Sequence, residues 1–172
     1  IGLKYLEDIQ KRIPRTEIEE FNKLFKSIFD SVTPSGSKFE IVGSYRRGAT
    51  NSGDIDIMIT NKENNKEAFD NILDVLIKDK IITEVLSRGK TKSMTLVQIK
   101  KNGPIRRVDF LYSPPDEYAF VLFYFTGSKI FNTVIRQRAL DMGYTLNEHG
   151  LSYSVKGVKG KKVEQKFPTE ES

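Results

Sequence analysis

The stretch GSYRRGATNSGDIDIMIT occupies residues 43–60, and its second half decides the fold. Ile55, Ile57 and Ile59 alternate with Asp54, Asp56 and Met58. A period of two belongs to a β-strand, whose successive side chains point to opposite faces. The isoleucines therefore face a core, and the two aspartates stand side by side on the other face. Aspartate is a poor strand former, so a pair of them flanking Ile55 asks for a reason beyond secondary structure. Just upstream, Gly43 and Ser44 lead into Arg46 and Arg47, a small basic loop.

Working outward, Thr16 to Glu19 reads as a capping box. Ile18, Phe21, Leu24, Phe25, Ile28, Phe29 and Val32 follow at helical spacing. Residues 38–42 read as a short strand. Residues 65–78 read as a second amphipathic helix with Phe69, Ile72, Leu73 and Leu76 inward. Strands are expected near 81–87, 92–100 and 105–112. In the last of them Val108 and Phe110 share one face, and Arg107 and Asp109 the other. SPPDEY, residues 113–118, breaks the pattern and is a candidate hinge. Helices over 117–125 and 128–142 come next, the second stopped by Gly143. Residues 144–155 read as a hairpin, and the polar tail beyond it is expected to be loosely held. The fold class is α+β. A mixed sheet with helices on one side fills residues 1–115, and a small helix and hairpin subdomain fills 116–172.

Asp54, Asp56 and Asp109 sit on the outward faces of two strands. Should those strands be neighbours, three like charges converge and repel unless a cation lies between them. Hard carboxylate oxygens select Mg²⁺, which is bound by a few carboxylates together with substrate phosphates. A lone Asp-x-Asp is usually just the polar face of a half-exposed strand; Arg107 beside Asp109 argues for charge tuning instead. In the basic loop, Gly43 and Ser44 let backbone N–H groups approach an anion. Arg47 offers a planar fork to phosphate oxygens, and Gly53 permits close backbone approach. Taken alone the loop is a charged surface turn. Joined to GDID it reads as a triphosphate cradle beside a Mg²⁺ site.

The 172 residues include 28 Lys and Arg against 23 Asp and Glu, a net charge of +5, which suits a polyanionic partner. With no cysteine and a single histidine, His149, thiolate and multi-histidine metal sites are excluded. No apolar run is long enough to span a bilayer.

GSYRRG followed by SGDIDI, then RRVDF, then YFTGS (124–128) resembles the family X DNA polymerases, the beta- and lambda-like group. GS with DxD is common to many nucleotidyltransferases; YFTGS with the helix after it is more specific. The resemblance covers most of the chain, from GLKYLEDIQKRIPR to LNEHGL. It implies a nucleotidyltransferase palm over 1–115 and a nucleotide-selecting subdomain over 116–172. It also implies template-directed addition of dNMP to a primer 3′-hydroxyl with two Mg²⁺ ions, for which Mn²⁺ can substitute.

By that resemblance Asp54, Asp56 and Asp109 are the metal ligands, with Arg107 close to Asp109. Arg12, Gly43, Ser44, Arg47 and Gly53 hold the triphosphate. Tyr124, Phe125 and Gly127 lie against the sugar, with a cis peptide often found between the positions of Gly127 and Ser128. Asn132 touches the incoming base and Arg136 the template strand. Lys129 occupies a position that is often acidic or small in relatives. Arg88, Lys90, Thr91 and Lys92 are implied to contact DNA phosphates, as is His149 on the template side, although a satisfied surface histidine is the simpler account. The implied partners are primer-template or gapped DNA and a dNTP, with no membrane, for a monomer. Relatives often carry a lyase domain upstream and more chain downstream, so an incomplete, truncated or stripped-down C-terminal subdomain is expected here. Terminal transferase relatives carry Gly-Trp where Tyr124-Phe125 stands, and a long loop where this chain has residues 100–105. Both differences favour templated synthesis. The alternatives are a template-independent, RNA or small-acceptor nucleotidyltransferase, and an inactive DNA- and dNTP-binding fragment.

Overall fold

The computed structural model describes residues 3–155 and 158–171. A short helix α1 (Leu6–Gln10) leads into β1 (Ile13–Pro14), the long helix α2 (Arg15–Val32) and β2 (Ser37–Ile41). The four-residue helix α3 (Gly43–Arg46) and β3 (Asn51–Ser52) then precede β4 (Ile55–Asn61). Helix α4 (Glu67–Lys78) is followed by β5 (Ile82–Arg88), β6 (Lys92–Gln98) and β7 (Ile105–Tyr112). Helices α5 (Tyr118–Thr126) and α6 (Lys129–Asp141) and strands β8 (Tyr144–Asn147), β9 (Gly150–Val155) and β10 (Val158–Lys162) complete the chain.

The main sheet has the order β2-β4-β7-β6-β5. Only the central pair β4 and β7 is parallel, so the sheet is mixed. Ile55, Ile57 and Ile59 of β4 and Val108 and Phe110 of β7 are fully buried in one core. Phe21, Phe25 and Phe29 of α2 and Phe69, Ile72, Leu73 and Leu76 of α4 close that core from one side. Each such side chain contributes roughly 1.5–3 kcal/mol through burial. The other face is covered at one end only, where Met58 meets Val42, Val121 and Leu122. The uncovered end carries the aspartates. Helix α5 (YAFVLFYFT) is apolar on all sides because it is packed on several: Leu122 against the sheet, Phe123 against Phe131 of α6, and Phe120 against Phe167.

The expected elements are present, with local corrections. Thr16 does not cap α2. β1 pairs with β3, which keeps Ile13 and Pro14 extended, and the helix starts at Arg15 directly behind Pro14. Glu19 pairs with Arg15 at 3.4 Å instead of closing a box. Leu24 lies at the margin of the buried stripe and is exposed. The basic loop is wound into α3. The tail is not loose over its described residues. β10 covers the edge of β9, Phe167 packs edge-on to Phe120 at 5.3 Å, and Glu170 forms a bidentate ion pair with Arg46. An open strand edge and an exposed phenylalanine each gain from such a cover.

Candidate active site

Parallel pairing of β4 with β7 sets Asp56 directly opposite Asp109. Asp54 stands just before β4, and carboxylate oxygens of all three lie within 4.8 Å of one another. Asp109 is buried, and the other two are half-buried. Burial, and then the charges of Asp54 and Asp109, push the Asp56 carboxyl up to about 7. Lys92 and Arg107 oppose that rise without cancelling it. A set of hard oxygen donors with unbalanced negative charge fits a hard divalent cation. Arg107 forks onto Asp109, with Nη2 3.2 Å from Oδ2 and Nε 3.4 Å from Oδ1. The two are neighbours on one face of β7, so the arginine steadies the buried carboxylate from the solvent side.

Gly43 is a backbone necessity. Its φ is +67°, and a Cβ there would stand 2.8 Å from Asp56 Oδ2. The start of α3 can therefore press against the acidic set. Ser44 Oγ donates to Ser52 Oγ at 2.7 Å. Arg47 crosses to the C-terminal lobe, where Nη1 donates to the Thr126 carbonyl at 2.6 Å. On that lobe the Gly127–Ser128 peptide is cis, and Ser128 Oγ caps α6 by accepting from Phe131 N. Asn132 Nδ2 donates to the Tyr124 carbonyl at 2.8 Å, which leaves its buried Oδ1 as an unused acceptor. The Tyr124 ring lies edge-on to Phe125 and under the Arg136 guanidinium, 4.8 Å from it.

One cleft of about 920 Å³ gathers most of the residues expected to form a site. It is lined by Arg12, Gly43, Ser44, Arg47, Gly53, Asp54, Asp56 and Arg107 from the sheet side, and by Tyr124, Phe125, Gly127 and Asn132 from the lobe. Ile9, Ser128, Lys129 and Ile130 complete the lining. Ile9 and Ile130 could not have been picked out beforehand, since a lone isoleucine carries no sequence signal for a cleft wall.

The expected DNA contacts are more scattered. Lys92 sits on the face of the sheet that carries the aspartates, opposite Leu111. Lys90 and Thr91 form the tip of the β5–β6 hairpin, whose turn is closed by Gly89 N donating to Lys92 O at 2.7 Å. Arg88 turns the other way, onto Asp74 at 2.7 Å and Asp70 at 3.3 Å of α4. Arg136 reaches Glu148 at 3.4 Å, and the exposed His149 ring meets Glu117 at 3.2 Å.

Residues 12–115 match the family model of the DNA polymerase beta palm, and residues 121–172 that of the DNA polymerase beta thumb. The chain belongs to the family X DNA polymerases. It is 32% identical to DNA polymerase lambda of Rattus norvegicus over 163 residues, which covers 90% of this chain and 28% of the relative. Identity with DNA polymerase lambda of Arabidopsis thaliana is 31%, covering 93% of this chain and 33% of that protein. A DNA nucleotidylexotransferase of Xenopus laevis is 27% identical, over 87% of this chain and 37% of its own. The chain thus spans about a third of the length of these relatives.

Proposed function

We propose that this chain is the polymerising core of a template-directed DNA polymerase that adds dNMP to a primer 3′-hydroxyl, in gap-filling repair synthesis. Residues 1–115 act as the catalytic palm and residues 116–172 as the lobe that selects the nucleotide, working as a monomer on primer-template or gapped DNA. The observation that carries this reading is the convergence of Asp54, Asp56 and Asp109, the first two of which line a cleft together with Arg12, Ser44 and Arg47. Carboxylates beside basic phosphate donors in one cleft match a nucleoside triphosphate and its cations in charge.

Asp54 and Asp56 would hold two Mg²⁺ ions, for which Mn²⁺ can substitute, with Asp109 joining at one of them; bound there, they activate the attacking hydroxyl and neutralise charge on the leaving pyrophosphate. Arg107 holds the Asp109 carboxylate in place through its two contacts. Ser44, Arg47 and the backbone at Gly43 and Gly53 orient the phosphates. Tyr124, Phe125 and Gly127 flank the sugar, and Asn132 Oδ1 or Nδ2 meets the base edge. Lys90, Thr91, Lys92 and Arg136 hold DNA through its phosphates, which position without reading sequence. Arg88 and His149 take part only on leaving their present acidic partners. No helix among the described residues is long and apolar enough to cross a membrane.

Template-independent addition is the second reading, favoured by the likeness to a DNA nucleotidylexotransferase. Against it stands the short connection between β6 and β7, residues 99–104, which leaves little to obstruct a template strand. Extension of a labelled primer on one-nucleotide-gapped DNA, with Mg²⁺ and each dNTP in turn, separates the two. Template-matched addition is expected, reduced on the order of 10³-fold or more in Asp109→Ala. Addition indifferent to the template would transfer the chain to the second reading.

A further inference from the structure

Arg12 lies on an exposed segment between α1 and β1. A free arginine side chain there would sample many rotamers, and fixing it costs entropy. In this chain it is already fixed. Nε donates to Asn51 Oδ1 at 2.8 Å, and Nη2 to the Asn51 carbonyl at 3.2 Å. Pro14, the partner of Asn51 in the β1–β3 register, has no N–H to offer that carbonyl. The main chain beneath is held as well. Arg106 Nη1 donates to the Arg12 carbonyl at 3.3 Å, and Arg106 is locked by Glu17 through contacts of 3.0 and 2.7 Å.

With the Nε–Nη2 edge of the guanidinium occupied, Nη1 is the group turned toward Gly53. A Cβ at Gly53 would lie 3.3 Å from it. Gly53 immediately precedes Asp54, so the remaining N–H donors face the cleft beside the acidic set. Asn51 itself does not line the cleft.

We propose that Asn51 is a positioning residue, which holds the Arg12 guanidinium so that its Nη1 edge meets the phosphate chain of the incoming nucleotide; this rests on the nucleotide-binding reading given above. A neutral amide suits the task. It orients the cation by accepting from Nε and leaves the positive charge intact for phosphate, where a carboxylate would neutralise it. A donor already in place also spares the nucleotide the ordering cost on binding.

The test is equilibrium binding of dATP and of dAMP with Mg²⁺ and no primer, to the wild type, Asn51→Ala, Asn51→Asp, Arg12→Ala and the double variant Arg12→Ala/Asn51→Ala. Asn51→Ala is expected to weaken dATP binding about 3- to 10-fold with dAMP unaffected. In gapped-DNA extension it raises KM for the nucleotide more than it lowers kcat. Asn51→Asp weakens dATP at least as much, and the double variant binds like Arg12→Ala alone. Equal dATP affinity in Asn51→Ala and wild type, alongside a weakened Arg12→Ala, would overturn the proposal. So would losses that multiply in the double variant, or an equal loss for dAMP, which would mark a merely structural role. An Arg12→Ala variant that binds dATP normally removes Arg12 from the site and the proposal with it. Absence of metal-dependent dATP binding in the wild type itself would instead sink the functional reading on which the proposal rests.

Discussion

The palm sheet and the C-terminal lobe are built in contrasting ways. Behind the sheet, α2 and α4 seal one large buried cluster among the described residues, which includes Phe21, Phe25, Phe29, Phe69 and Phe110. On the opposite face only Val42, Met58, Val121 and Leu122 form a buried apolar cluster among the described residues. Helix α6 has no buried residue at all. The lobe is joined to the palm by that small cluster and by polar contacts: Arg46 with Glu170 and Thr126, Arg47 with the Thr126 carbonyl, and Tyr118 with Glu40 at 2.8 Å. The difference teaches where rigidity is placed. The aspartates stand on strands whose reverse side is locked into a close-packed core, which fixes their spacing. The residues proposed to meet sugar and base stand on a lobe with a far smaller apolar attachment.

That contrast can be broken at its strong end. Phe25 touches Phe21, Phe29, Phe39 and Phe110 with ring centroids 4.6–5.9 Å apart. Phe25→Ala should cost about 3–5 kcal/mol in urea unfolding. Val121→Ala, in the small cluster, should cost only about 1–2 kcal/mol. Equal losses would mean that the two faces are equally well packed.

A second prediction concerns the charge that the rigid sheet holds together. The folded state raises the Asp56 carboxyl to about 7, above its value in an unfolded chain. The folded protein therefore binds this proton more tightly. Its stabilising effect is complete below the unfolded pKa and is lost as pH rises through about 7. In chelator-treated protein Asp56→Asn should be more stable than wild type at pH 8, by on the order of 2 kcal/mol. The advantage should vanish near pH 4. Added Mg²⁺ should restore the wild type and do little for the variant. A pH-independent gap between them would show that neither burial nor the neighbouring carboxylates raise Asp56 in the folded state.

The smallest effect tests the lobe's attachment. Arg46→Ala removes the ion pair with Glu170 and the contact with Thr126, both partly exposed, and should cost about 1 kcal/mol or less. Its signature is local: faster amide exchange in α5 and the tail, with exchange in β4 and β7 unchanged. Uniformly faster exchange would mean that the two regions unfold as one unit.

Much of this was legible in the sequence because its signals are periodic or local. The alternation through Ile55, Ile57 and Ile59 placed the core face correctly, and the same alternation put Asp54 and Asp56 opposite it. Phe69, Ile72, Leu73 and Leu76 are buried as their spacing requires. What misled was chemistry that tertiary contacts reassign. Thr16 and Glu19 look like a capping box, but β1–β3 pairing starts the helix earlier. The tail looks like solvent-exposed chain, but a strand edge and Phe120 recruit it. Arg88 reads as one more cation of a basic hairpin, yet Asp70 and Asp74 lie one helical turn apart on α4 and take it. Asn51 gave no signal at all, because its partner Arg12 is 39 residues away.

Side-chain periodicity and short contiguous motifs were enough to give the five strands of the main sheet, the longer helices, the face on which each aspartate stands, and the family to which the chain is similar. Only the tertiary structure decided that β4 and β7 are parallel neighbours, that Asp56 faces Asp109, and that Asn51 holds Arg12. Those facts depend on strand order and on contacts between distant segments. They are set by how the whole core packs, and no local stretch of residues encodes them.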